Sequence, residues 1–210
     1  MSFFRIKNFH LQMKNNQIEA KIVLLGDSNV GKTSIINRAL TGAYDQHISP
    51  TLGANYSTKI CKTENSDIRL QIWDTAGEEK YRSLVPMFFR GAEAAILVYS
   101  IDDRKTFDDL HLFVKILDEN SSDISKIVVG NKSDLSENRE IEIEEGGKYA
   151  DSIGASFIES SAKYGDNVDT IFETLSHEIV ELRTFSGKSN ETAYLSIDSD
   201  YNTYINSCKC

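Results

Sequence analysis

Gly26-Asp27-Ser28-Asn29-Val30-Gly31-Lys32-Thr33 has the spacing G-x-x-x-x-G-K-[ST]. Each residue type in it has a use in phosphate chemistry. Glycines let the backbone wrap closely around an anion. The N–H groups of Ser28, Asn29, Val30 and Gly31, ending at a helix N-terminus, present partial positive charge to it. Lys32 adds a full charge for the β- and γ-phosphates of a nucleotide. The Thr33 hydroxyl can ligate Mg²⁺, and Ser34 can reach the α-phosphate. The loop follows the apolar run Lys21–Leu25 and precedes a helical pattern over Lys32–Leu40, which is the context such a loop requires.

The phosphate loop does not choose the base, because ATPases, nucleotide kinases and GTPases all use it. Asn131-Lys132-Ser133-Asp134 makes the choice. It lies about 100 residues downstream, at the end of the apolar run Lys126–Val129. An aspartate there accepts hydrogen bonds from N1–H and the exocyclic amine of guanine, whereas adenine has no N1 donor. Ser160-Ser161-Ala162-Lys163 follows the next strand and can bring the Ala162 N–H near guanine O6. A third stretch, RLQIWDTAGEE at 69–79, turns at Asp74 and Gly77 and then carries Glu78 and Glu79. Two carboxylates beside a triphosphate need an explanation.

These loops need a scaffold to bring them together. Near-continuous Val/Ile/Leu runs at Lys21–Leu25, Ile68–Trp73, Ala94–Tyr99 and Lys126–Val129 suit parallel strands covered on both faces. Asn55–Cys61 alternates weakly and pairs with 68–73, and Ala155–Ile158 forms a short strand. Helices are expected at Lys32–Leu40, Phe107–Asp118, Glu142–Ile153 and Val168–Arg183. Strands alternating with helices imply an α/β doubly wound sheet.

The chain has 210 residues, enough for one domain with tails. Its net charge of −9 argues against a nucleic-acid partner, which would call for a basic face. Cys61, Cys208 and Cys210 give no disulfide framework and indicate a reducing compartment. No run approaches the length of a membrane span. Residues 1–18 read as a flexible arm with a poor signal-peptide pattern, 19–184 as the globular domain, and 185–210 as a flexible Ser/Asn/Thr/Asp-rich tail. Phe3, Phe4, Ile6 and Phe9 could touch an interface, but a solvated arm is the simpler reading.

With GDSNVGKT, SPTLGANY, WDTAGEE, NKSD and SSAK in this order, residues 19–184 resemble the Ras-like small GTPases. KYRSL at 80–84 and FFRGA at 88–92 narrow the resemblance to the Rab family, and SLVPMFFRGA is similar to its endosomal members. The resemblance implies a P-loop NTPase (Ras-like) fold, a six-stranded mostly parallel sheet with helices on both faces. It implies GTP or GDP as bound nucleotide and Mg²⁺ as cofactor. Thr33 and Thr51 would ligate the metal, with Asp74 acting through water. Thr51 and Gly77 would contact the γ-phosphate, and Tyr44 would lie against the guanine. The contact set is completed by Asn131, Lys132, Asp134, Ser161, Ala162 and Lys163. Two switch loops, about 44–54 and 75–90, would be held by the γ-phosphate and released on hydrolysis.

The resemblance also isolates one anomaly. Glu79 is the acidic residue usual in the family, but Glu78 stands where a Gln normally orients the attacking water. Lys32 and Glu78 are thus the catalytic candidates. Glu78 keeps the length of Gln, loses an amide donor and gains a charge. Two like charges ~5 Å apart repel by roughly 3 kcal/mol at an effective dielectric of about 20. Half of that in the transition state slows the reaction about tenfold. The expectation is a vesicle-trafficking GTPase with a slow intrinsic rate. The alternative is a GTP-bound membrane scaffold that recruits effectors and hardly hydrolyses. Expected partners are effectors, an exchange factor, a GAP and an escort or GDI-type chaperone. The terminal Cys208-Lys209-Cys210 is similar to doubly prenylated Rab ends. Two lipids meet the requirement for stable anchoring, and the tail carries no polybasic patch to help. The protein is therefore expected on the cytosolic face of an intracellular membrane, with a cytosolic pool, and the resemblance to endosomal members points to an endosomal membrane.

Overall fold

In the computed structural model, which describes residues 18–63, 67–77, 87–88, 90–120 and 124–185, six strands form one sheet. They are β1 Ile18–Leu25, β2 Ala54–Lys62, β3 Asp67–Thr75, β4 Ala94–Ser100, β5 Ser125–Asn131 and β6 Ser156–Ser160. Their order is β2-β3-β1-β4-β5-β6, and only the β2–β3 pair is antiparallel. The expected six-stranded, mostly parallel sheet is present.

The sequence pattern explains the layering. Every residue of β4 is buried, as a central strand covered on both faces must be. Along β1, Ile22 and Leu24 enter one apolar cluster while Val23 and Leu25 enter the other. Successive strand side chains point to opposite faces, so one run feeds two cores. Helices α1 (Lys32–Thr41) and α5 (Val168–Phe185) cover the first face through Ile35, Ile36, Ile171, Phe172, Leu175 and Ile179. Helices α2 (Arg104–Asp108), α3 (Leu110–Asn120) and α4 (Ile143–Ser152) cover the second.

One expected helix is divided. The pattern over Phe107–Asp118 predicts a single element, but α2 begins at Arg104 because the Asp103 carboxylate caps it by accepting from the Lys105 N–H at 3.1 Å. The break falls at Asp109, where the Leu112 N–H bonds back only three residues, to the Asp109 carbonyl. Among the described residues, β1 runs from Ile18 and α5 runs to Phe185. The arm and the tail lie outside the described residues.

Candidate functional site

The loops that follow β1, β3, β5 and β6, together with the segment after α1, surround a cleft of about 610 Å³. It lies beyond the carboxyl ends of the parallel strands, where α/β sheets bind ligands. The loop after β1 contributes Ser28, Asn29, Gly31, Lys32, Thr33 and Ser34. The segment after α1 contributes Tyr44 and Thr51, and the turn after β3 contributes Gly77. Asn131, Lys132, Asp134, Ala162 and Lys163 form the opposite wall. Residues more than 130 positions apart thus meet in one cavity.

Backbone geometry makes the phosphate loop. Gly31 sits at φ 96°, and a Cβ there would come within 2.3 Å of Asn131 Nδ2. A Cβ on Gly77 would lie 2.3 Å from the Ser28 nitrogen, so the turn after β3 packs directly on the loop backbone. Lys32 is buried, and its Nζ donates to the carbonyls of Gly26 (2.8 Å) and Asp27 (2.7 Å). Burial lowers its pKa to about 8, against the attraction of Asp74 and Asp27. An incoming phosphate would supply the charge partner that the burial withholds.

Three oxygens converge beside the lysine. Thr33 Oγ1 donates to Asp74 Oδ2 at 2.6 Å and lies 2.9 Å from Thr51 Oγ1, which is itself 3.4 Å from that carboxylate oxygen. Asp74 is buried, and its Oδ1 has no hydrogen-bond partner among the described residues. Burial raises the Asp74 pKa, with the Thr33 hydrogen bond and Lys32 opposing it. Two hydroxyls and one carboxylate are hard oxygen donors, and Mg²⁺ takes few protein ligands while keeping water. The unpartnered Oδ1 offers such a water its acceptor. The residues present fit the ion.

The opposite wall is organised around Asn131. Its Nδ2 donates to the Val30 carbonyl at 2.8 Å, and its Oδ1 accepts from the Ala162 N–H at 3.2 Å. Asn131 thereby ties the phosphate loop to the loop after β6. The Ser161 hydroxyl donates to Asp134 Oδ1 at 2.6 Å, and Lys163 Nζ stands 3.8 Å from Oδ2. The Asp134 side chain is only 6% exposed, so its orientation is set before any base arrives.

Two expected contact residues do not line the cleft. Val30 is fully buried in the core, leaving its main chain to face the loop, and the Ser161 hydroxyl serves Asp134 instead. The Ala162 N–H, expected to point at a base oxygen, is engaged by Asn131, because the side-chain amide bridges the same gap. Glu78, Cys208 and Cys210 lie outside the described residues. The sequence reading missed Arg38. From α1, its guanidinium donates to the carbonyls of Ala162 (2.9 Å), Gly42 (2.6 Å) and Lys163. A basic residue in the last turn of a helix gives no signal beyond a favourable dipole contact.

The cleft combines a glycine-shaped loop around a buried lysine, three converging side-chain oxygens and an oriented carboxylate on the opposite wall. The Ras family profile matches residues 21–181. The human Ras-related protein Rab-31 is 41% identical over 175 residues, spanning 83% of this chain and 90% of that protein. Human Rab-22A is 43% identical over 162 residues, 77% of this chain and 84% of its own. Rab-11B of Dictyostelium discoideum is 40% identical over 187 residues, 89% of this chain and 83% of its own.

Proposed function

Since the chain belongs to the Ras family and, within it, to the Rab GTPases that regulate vesicle trafficking, we propose that it is a GTP/GDP switch whose intrinsic hydrolysis is slow. The observation that carries the switch reading is the convergence of Lys32, Thr33, Thr51 and Asp134 on one cleft, with Asp74 buried behind Thr33 and hydrogen-bonded to it. Lys32 neutralises phosphate charge. Asn131 and Ser161 hold the base wall. Asp134 accepts from N1–H and the exocyclic amine of guanine, which adenine cannot supply together.

Thr33, Thr51 and Asp74 would hold Mg²⁺, which supplies charge stabilisation to the phosphates when bound. Thr51 sits at the end of the segment after α1, and Gly77 in the turn after β3. Contacts from a γ-phosphate to both would draw the two segments to the phosphate loop, and loss of that group would release them. Effectors, an exchange factor and a GDI-type escort would read those two states. Endosomal attachment through prenylated Cys208 and Cys210 is part of the same reading.

Glu78 sets the rate. As an ionised carboxylate it can accept from water but cannot donate to the phosphate, and it adds like charge to the site. GAPs of the usual Rab kind bring their own Gln and Arg, so they could restore turnover. A single-turnover assay on purified protein tests this. Glu78→Gln is expected to hydrolyse GTP about tenfold faster, and equal rates would remove the role given to Glu78.

A further inference from the structure

Arg38 does not line the cleft, but it bonds to the backbone of two residues that do, Ala162 and Lys163. Its side chain crosses to that loop over 124 positions of sequence. The loop closes on itself first. The Gly165 N–H bonds to the Ser161 carbonyl at 2.7 Å, the Ser161 N–H bonds to the Asp166 carbonyl at 3.0 Å, and the Tyr164 N–H bonds to the Ser161 hydroxyl at 3.2 Å. Within this folded turn, two consecutive carbonyls, Ala162 and Lys163, accept from the Arg38 guanidinium. The remaining donor nitrogen reaches the Gly42 carbonyl at 2.6 Å, at the C-cap of α1.

The planar fork therefore clamps three main-chain oxygens from two segments. One segment carries Ser161, which orients Asp134. The other leads directly into Tyr44. The stem of Arg38 also packs on the turn, since a Cβ at Gly165 would lie 3.6 Å from Arg38 Cδ. Charge-assisted hydrogen bonds are stronger than neutral ones, and only a guanidinium presents donors in a fixed fork.

We propose that Arg38 is a positioning residue for the guanine site, fixing how long the nucleotide stays by clamping the Ser161–Lys163 turn to the end of α1. This rests on the guanine-nucleotide reading above. Arg38 touches no nucleotide. It acts through Ser161 on Asp134 and through Gly42 on the stem of the Tyr44 segment. Its loss should weaken the base end of the site and leave the metal end alone.

Stopped-flow release of mant-GDP and mant-IDP from the full chain tests the idea, with wild type, Arg38→Lys and Arg38→Ala, each with and without EDTA. IDP lacks the exocyclic amine that Asp134 accepts. Arg38→Ala is expected to release GDP at least fivefold faster and to lose much of the GDP-over-IDP preference. The acceleration produced by EDTA should match that of wild type. Arg38→Lys, which keeps the charge but not the fork, should fall between the two. A smaller rise in Arg38→Ala overturns the proposal. So does an equal rise for GDP and IDP, which marks general loosening. If Arg38→Ala does not fold, Arg38→Lys decides by the same preference ratio. Failure of wild type to bind mant-GDP would instead overturn the guanine-nucleotide reading.

Discussion

The hydroxyl of Tyr149 is buried without a hydrogen-bond partner among the described residues, and its ring meets Phe107 edge-on at 5.3 Å. Burial pushes its pKa up to about 12, with the charge of Asp118 adding to the shift. The neutral phenol thus favours the folded state. That contribution is complete below about pH 10, where a tyrosine in the unfolded chain ionises, and is lost as pH rises through about 12. Tyr149→Phe removes both the ionisation and the unsatisfied hydroxyl. Urea midpoints measured from pH 8 to 11 should fall less steeply for this variant, with no loss at pH 8. A steeper fall would contradict the account. Glu78 is the residue of opposite legibility. Its anomaly is plain in the sequence, because the motif around it fixes what should stand there, and it lies outside the described residues. Arg38 is the reverse case. Nothing local marks it, since two of its three partners are main-chain oxygens more than 120 positions away.

At the scale of elements, the two adjacent glycines of α4 make a matched pair. A Cβ on Gly146 would lie 2.5 Å from the Tyr99 hydroxyl and 2.7 Å from ring carbons of Phe157, whereas one on Gly147 would meet only Phe157, at 3.8 Å. Alanine gains about 1 kcal/mol over glycine in a helix, while overpacking a core costs about 1–3 kcal/mol. At Gly146 the clash wins and at Gly147 the propensity wins. Chemical denaturation should show Gly146→Ala destabilised and Gly147→Ala stabilised by up to about 1 kcal/mol. The same sign for both would contradict the packing described. The central strands were legible because burial on both faces writes an unbroken apolar run, as in Ala94–Tyr99. The division of Phe107–Asp118 was not, because it depends on the Asp103 cap and on one backbone hydrogen bond at Asp109. Of the base wall, Asp134 could be read from its motif. The bridging work of Asn131 could not, because a motif names residues without saying which of them face ligand and which face each other.

The whole molecule joins a sheet that aims its loops at one cleft to a C-terminus carrying two cysteines. Arg183 near the end of α5 is bound to Glu93 at 2.6 and 2.7 Å and to the Glu19 carbonyl. The helix that leads to the tail is therefore fastened at the amino ends of β1 and β4, opposite the cleft. Among the described residues no helix is long and apolar enough to cross a membrane. Replacing both Cys208 and Cys210 by Ser should move the expressed protein from the membrane to the soluble fraction on cell fractionation, and persistence on membranes would contradict a lipid anchor. The chain is proposed to be a guanine-nucleotide switch slowed by Glu78. Its most direct test is the nucleotide that co-purifies with the wild-type chain from cells, identified by chromatography of the denatured protein. Guanine nucleotide is expected, with GTP in excess of GDP. Adenine nucleotide would contradict the switch reading itself, and GDP in excess would contradict slow hydrolysis.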